Sequence, residues 1–92
     1  PRAYHGYRYR ILAAQGPDAP GGARSYVVDG RMIGGFAVLA YPVNPGVSGV
    51  MSFIVNHEGI VYQKNLGRNG EAVAAKMQRF NPAAGWTRVP IE

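Results

Sequence analysis

The 92-residue chain contains no cysteine, so it can build neither a disulfide framework, nor a thiolate nucleophile, nor a Cys-rich zinc site. Charge is scarce as well: 16% of residues are charged against 47% hydrophobic, the reverse of a disordered segment. Besides the tyrosines, the only hydroxyls are Ser25, Ser48, Ser52 and Thr87, and no serine sits in a GxSxG elbow. The carboxylates Asp18, Asp29, Glu58, Glu71 and Glu92 fall in turns, at a helix start or at the end, without the pairing that acid and base chemistry needs. His5 and His57, with Glu58 beside the latter, lack the HExxH or His-x-His spacing of a metal site. No catalytic residue, metal or cofactor is therefore expected. Long apolar runs are missing too, so no membrane span is expected, and nothing at the start resembles a signal peptide.

What is present fits one domain with a thin core. The net charge of +5 would draw the chain toward anionic surfaces. Its bearers Arg2, Arg8, Arg10, Arg24, Arg31, Lys64, Arg68, Lys76, Arg79 and Arg88 are scattered and form no basic run, so specific nucleic-acid binding is not expected. The chain opens at Pro1, from which a processed product or an excised domain is expected.

Gly6 to Ala14 alternates Tyr7, Tyr9, Ile11 and Ala13 with Arg8, Arg10 and Leu12, the period of a strand with one solvated face. The reading places the tyrosines in the core and the arginines in solvent. Gln15 to Gly22 is too rich in proline and glycine for an element and reads as a loop. Asp29-Gly30 between the short apolar pieces of Ser25 to Ile33 signals a two-residue hairpin turn. Phe36 to Tyr41, Val50 to Asn56 and Ile60 to Lys64 read as strands, separated by turns at Asn44-Pro45-Gly46 and at Asn56 to Gly59. Loops this short require antiparallel neighbours. From Asn69 to Phe80 the period becomes helical, with Val73, Met77 and Phe80 as the apolar stripe and Asn81-Pro82 as the stop. Trp86 and Val89 mark a tail laid against the sheet. The expected fold is thus α+β: an antiparallel meander of about four strands with one C-terminal helix packed on it.

This fold has a sheet with two apolar faces. Phe36, Val38 and Ala40 alternate with Ala37, Leu39 and Tyr41, and Met51, Phe53 and Val55 with Val50, Ser52 and Ile54. One helix covers only one face. Either the hairpin and tail wrap the other, or a partner does, and the chain's own N-terminal region, another protein chain or a second copy would serve.

The runs HGYRYRILAAQGPDAPGGA, SYVVDGRMIGGFAVLAYP and GVSGVMSFIVNHEGIVYQKNLG resemble the C-terminal part of an uncharacterised group of exported bacterial proteins, domain-of-unknown-function family 2950. The resemblance covers Tyr4 to Val89. It implies a C-terminal fragment of a larger exported precursor and a periplasmic or extracellular setting. The family has no established site residues to carry over. The glycine, tyrosine and FIVN pattern is more loosely similar to the globular sheet of type II secretion pseudopilins and minor pilins, which implies a meander packed on a long N-terminal helix.

Three functions follow in order of expectation. The first is a non-enzymatic structural or protein-interaction module that uses its apolar sheet face or an edge strand. The second is a binding module for an anionic polymer through Arg8, Arg10 and nearby cations. The third is a hydrolase, for which His57 and Glu58 are the residues to substitute. Arg8, Arg10, His57 and Glu58 are accordingly the candidate contact residues.

Overall fold

The computed structural model describes residues 6–44, 49–83 and 85–90. His5, Ser48, Glu92 and most of the turn around Pro45 lie outside the described residues. In chain order the strands are β1 (Tyr7–Leu12), β2 (Ala14–Gln15), β3 (Arg24–Ser25), β4 (Val27–Val28), β5 (Arg31–Met32), β6 (Ala37–Pro42), β7 (Ser52–Asn56) and β8 (Val61–Lys64). Helix α1 (Gly70–Lys76) and β9 (Thr87–Arg88) follow.

The main sheet runs β1-β6-β7-β8-β9, and each neighbouring pair is antiparallel. It has five strands where the sequence reading expects about four. The fifth comes from the tail, where Thr87 and Arg88 pair with Gln63 and Tyr62 and the Val89 N–H donates to the Val61 carbonyl at 2.8 Å. Two residues carry no detectable period, so this strand has no sequence signature.

The register decides which faces meet. Leu12 lies opposite Ala37, and Leu39 opposite both Arg10 and Ile54, so these residues share one face. On it Leu12, Ala37, Leu39 and Ile54 are essentially inaccessible, together with Tyr26, Ala74 and Phe80. Tyr41, Tyr62, Leu66, Met77 and Trp86 pack around that cluster. Of the three buried polar residues, Gln15, Ser52 and Asn56, two serve turns. Gln15 accepts from the Tyr26 hydroxyl at 2.9 Å and donates to the Pro20 and Gly22 carbonyls, and Asn56 Oδ1 accepts the Glu58 and Ile60 N–H groups at 3.0 Å. Both satisfy turn backbone that burial would otherwise strand.

The helix differs from expectation in length and in facing. It ends at Lys76, well before Asn81-Pro82, and Met77 is already extended with φ −76° and ψ 123°. Phe80 is drawn out of the helix because its N–H donates to Ala14 O at 2.8 Å and its carbonyl accepts from Gly16 N at 3.0 Å. Two tertiary bonds thus replace the helical turn that the sequence pattern would continue. The small Ala74, and not Val73, seats α1 on the sheet: Ala74 is 0% exposed and Val73 43%. Close approach to a sheet favours the residue with least side chain there.

The hairpin forms as its turn demands. Asp29 and Gly30 adopt φ +50° and +77°, the left-handed pair of a type I′ turn. Its arms β4 and β5 pair only with each other, and Val27, Val28 and Met32 remain exposed.

Candidate functional site: the arginine clamp and the open sheet face

Strand β1 reverses the facing expected of it. Arg8 and Arg10 lie on the helix side, while Tyr9 and Ile11 are 48% and 60% exposed. The physical reason lies at the end of α1. The last carbonyls of a helix lack intrahelical partners and carry the negative pole of its dipole. Arg10 Nη1 donates to the Ala74 carbonyl at 2.9 Å and to the Ala75 carbonyl at 2.5 Å. Arg8 Nη1 reaches Glu71 Oε1 at 3.1 Å near the other end, leaving its own Nε buried without a hydrogen-bond partner. Together the two arginines clamp the helix to β1.

The sequence places His57 and Glu58 side by side, and the structure separates their environments. His57 is half-buried, edge-on to Tyr26 with ring centroids 5.8 Å apart, and near the ring of Phe36 at 6.1 Å. Its backbone N–H donates to the Phe36 carbonyl at 3.0 Å, and its Nδ1 lies 3.3 Å from the Phe36 nitrogen. Gly35, at φ +133°, passes so close that an added Cβ would come within 2.6 Å of the imidazole. Glu58 is exposed at the rim of an open cleft of about 770 Å³, which Ile60, Val61, Arg88, Val89 and Pro90 also line. No group of three or more metal-capable side chains occurs among the described residues. Tyr26 is the one group there with a displaced titration. Burial pushes its hydroxyl above the ordinary 10.0, Arg24 partly offsets this, and Glu58 adds to it. The Arg24 guanidinium stands 5.5 Å from the Tyr26 ring centroid and donates to the Gly34 carbonyl.

The remaining surface of interest is the sheet face opposite α1. Register places Tyr7, Tyr9 and Ile11 of β1 beside Val38 and Ala40 of β6, then Phe53 and Val55 of β7, Val61 and Gln63 of β8, and Thr87 of β9. None of these side chains is charged. All of them are half-buried or exposed, whereas on the helix side Leu12, Ala37, Leu39, Ser52, Ile54 and Asn56 are buried. Tyr7 is anchored within the face by its hydroxyl, which donates to the Met51 carbonyl at 2.8 Å, and by the ring of Phe53 at 6.2 Å. The two elements expected to wrap this face go elsewhere. The hairpin buries neither of its own arms, and Trp86 of the tail packs on the core side. Sequence reasoning found the apolar face itself in the alternation of β6 and β7, and missed the part that β1 contributes.

No helix among the described residues is long and apolar enough to cross a membrane. No curated protein and no solved structure matches the chain. A family model matches it over residues 1–89, the span in which the clamp and the open face both lie, and the chain therefore belongs to the family described as "protein of unknown function (DUF2950)".

Proposed function

We propose that the domain is a non-enzymatic protein-interaction module whose binding surface is the open face of the main sheet, and that this face is covered by the same face of a second copy. The observation that carries the reading is a contiguous apolar surface without charge on a chain of net charge +5. Apolar patches of more than a few hundred Å² mark interaction surfaces on soluble domains. Because the cations of the main-sheet strands, Arg8, Arg10, Lys64 and Arg88, all fall on the opposite side, two copies can meet there without placing those charges in contact.

The area suits a modest dimer. At about 16 Å² of sheet per residue, from strand spacing and rise, the five strands present about 370 Å² of projected face. Side-chain relief brings the total buried by two copies to about 1,000 Å², the lower bound for a specific interface. Aligned packing of two sheets about 10 Å apart is the usual geometry for such faces. The exported, periplasmic or extracellular setting belongs to the same proposal and rests on the family resemblance.

Light scattering or sedimentation over a range of concentration and salt tests the reading. The expected result is a face-to-face association that persists in 1 M salt, where phosphate contacts would be screened, and Phe53→Lys and Val61→Lys are each expected to halve the assembled mass while circular dichroism stays native. A monomer at every concentration overturns the self-association. So does a sheet face that is instead covered by the precursor's own N-terminal region, the pilin-like arrangement, shown by tight co-purification of that fragment with a monomeric domain. Binding of an anionic polymer has less support, because Arg8 and Arg10 are engaged with α1.

A further inference from the structure

The hydrogen-bond pattern of β1 can be worked out residue by residue. The Val43 N–H donates to the Gly6 carbonyl at 3.0 Å, and Tyr7 lies opposite Pro42, which has no N–H to give. Antiparallel ladders alternate bonded and non-bonded pairs. Arg8, Arg10 and Leu12 therefore exchange bonds with β6, and the N–H and C=O groups of Tyr7, Tyr9 and Ile11 point away from the sheet. Ala13 keeps the same parity, and its carbonyl accepts from the Tyr26 N–H at 2.8 Å, so the outer edge is closed from Ala13 onward. Between Tyr7 and Ile11 it is open: β1 is the terminal strand of its sheet, and no backbone group among the described residues pairs with those three.

Edges of this kind are ordinarily guarded by charged side chains, by proline or by a bulge. Here β1 carries two arginines, but the clamp turns both under α1. The side chains standing over the edge on the other face are Tyr7, Tyr9 and Ile11. The edge is thus about as long as an ordinary strand, apolar on its open side and without its usual guards.

We infer that β1 pairs antiparallel with β1 of a second copy, about a two-fold axis at Tyr9. This occupant follows from self-complementarity. With Tyr9 opposite Tyr9 of the second copy, Tyr7 comes opposite Ile11, and each outward N–H meets an outward carbonyl. The cross-strand pairs on the open side are then aromatic with aromatic and aromatic with β-branched, the favourable classes. On the other side Arg8 comes opposite Arg10, and each is already held by its own helix, through Glu71 and through the α1 carbonyls. Such a two-fold contact is isologous and closes on itself. It joins two five-stranded sheets into one and makes their open faces continuous. The inference goes beyond the face-to-face contact and does not depend on it, because it uses backbone groups in the plane of the sheet.

Amide hydrogen exchange of the whole domain, resolved by residue with NMR at low and high protein concentration, tests it. The Tyr9 and Ile11 amides are expected to slow at least tenfold as the chain associates, and to do so equally in the Phe53→Lys variant, in which the face contact is removed. Isotope-filtered contacts between the Tyr9 rings of labelled and unlabelled copies are expected alongside. Three outcomes overturn the edge pairing: association with unchanged exchange at Tyr9 and Ile11, loss of their protection in Phe53→Lys, or a monomer at all concentrations. The first of these leaves the face-to-face dimer standing, so the two proposals fail separately.

Discussion

Replacing Arg10 with methionine removes the guanidinium from the end of α1 and keeps an unbranched stem on the buried side of β1. Two hydrogen bonds are lost, to Ala74 O at 2.9 Å and Ala75 O at 2.5 Å. A hydrogen bond to a charged group contributes about 1.5–3 kcal/mol net, and a cation at a helix C-terminus about 0.3–1 kcal/mol. These describe the same contact and overlap, and one of the two carbonyls is exposed, so the expected loss is about 2 kcal/mol. For a domain of this size that lowers the melting temperature by roughly 10 °C. Urea denaturation followed through Trp86, the single tryptophan and a neighbour of the core, measures it. Arg8→Met is the internal comparison. Its ion pair with Glu71 spans 3.1 Å between side chains 38% and 55% exposed, and an exposed pair contributes below about 1 kcal/mol and weakens in salt. If Arg10→Met costs no more than Arg8→Met, or if 1 M salt erases the difference between them, the clamp is not what holds α1 to the sheet.

Two further outcomes follow from the same packing. Gly35→Ala forces a Cβ to within 2.6 Å of His57 at φ +133°, so a loss of about 2 kcal/mol or more is expected; in a double-mutant cycle His57→Ala should recover the clash component but not the backbone strain, and simple additivity of the two substitutions would contradict the contact. Tyr26 has a folded pKa above its unfolded value of 10.0, so its contribution is intact below about pH 10 and is lost as pH rises through the folded value, because the unfolded chain releases the proton first. Stability measured at about pH 9 and about pH 11.5 should fall further for the native chain than for Tyr26→Phe, and equal losses would mean that the buried hydroxyl is not responsible.

Much of the architecture is legible in the sequence because it is local. Asp29-Gly30 demands its hairpin, Gly59 its turn with φ +79°, and the short loops from β6 onward demand antiparallel neighbours. What escaped are features decided by tertiary bonds. The helical pattern runs to Phe80, but α1 stops at Lys76 because Phe80 bonds to Ala14 and Gly16. The strand at Thr87–Arg88 exists because β8 offers an edge, not because two residues prefer extension.

The facing of β1 shows most clearly why a surface could be missed. Both of its faces are amphiphilic: Tyr7, Tyr9 and Ile11 offer more apolar area, and Arg8, Arg10 and Leu12 offer one fully buried leucine and two long stems. Hydropathy alone sends the tyrosines inward. Parity, however, is set by register against β6, and a slip of one residue would exchange every side chain between faces. With Leu12 opposite Ala37, the leucine enters the core and the arginines come under the helix, where α1 ends in carbonyls that need donors. Hydropathy counts a guanidinium as a cost of burial; at this helix terminus it supplies a donor to the Ala75 carbonyl and a second donor to the Ala74 carbonyl, which also accepts the Met77 N–H. The same turn of the strand that completes the helix moves the tyrosines onto the open face and strips β1 of its charged guards. The open apolar face and the helix clamp are therefore consequences of a single register, and a substitution that weakened the clamp would be expected to disturb the edge along with it.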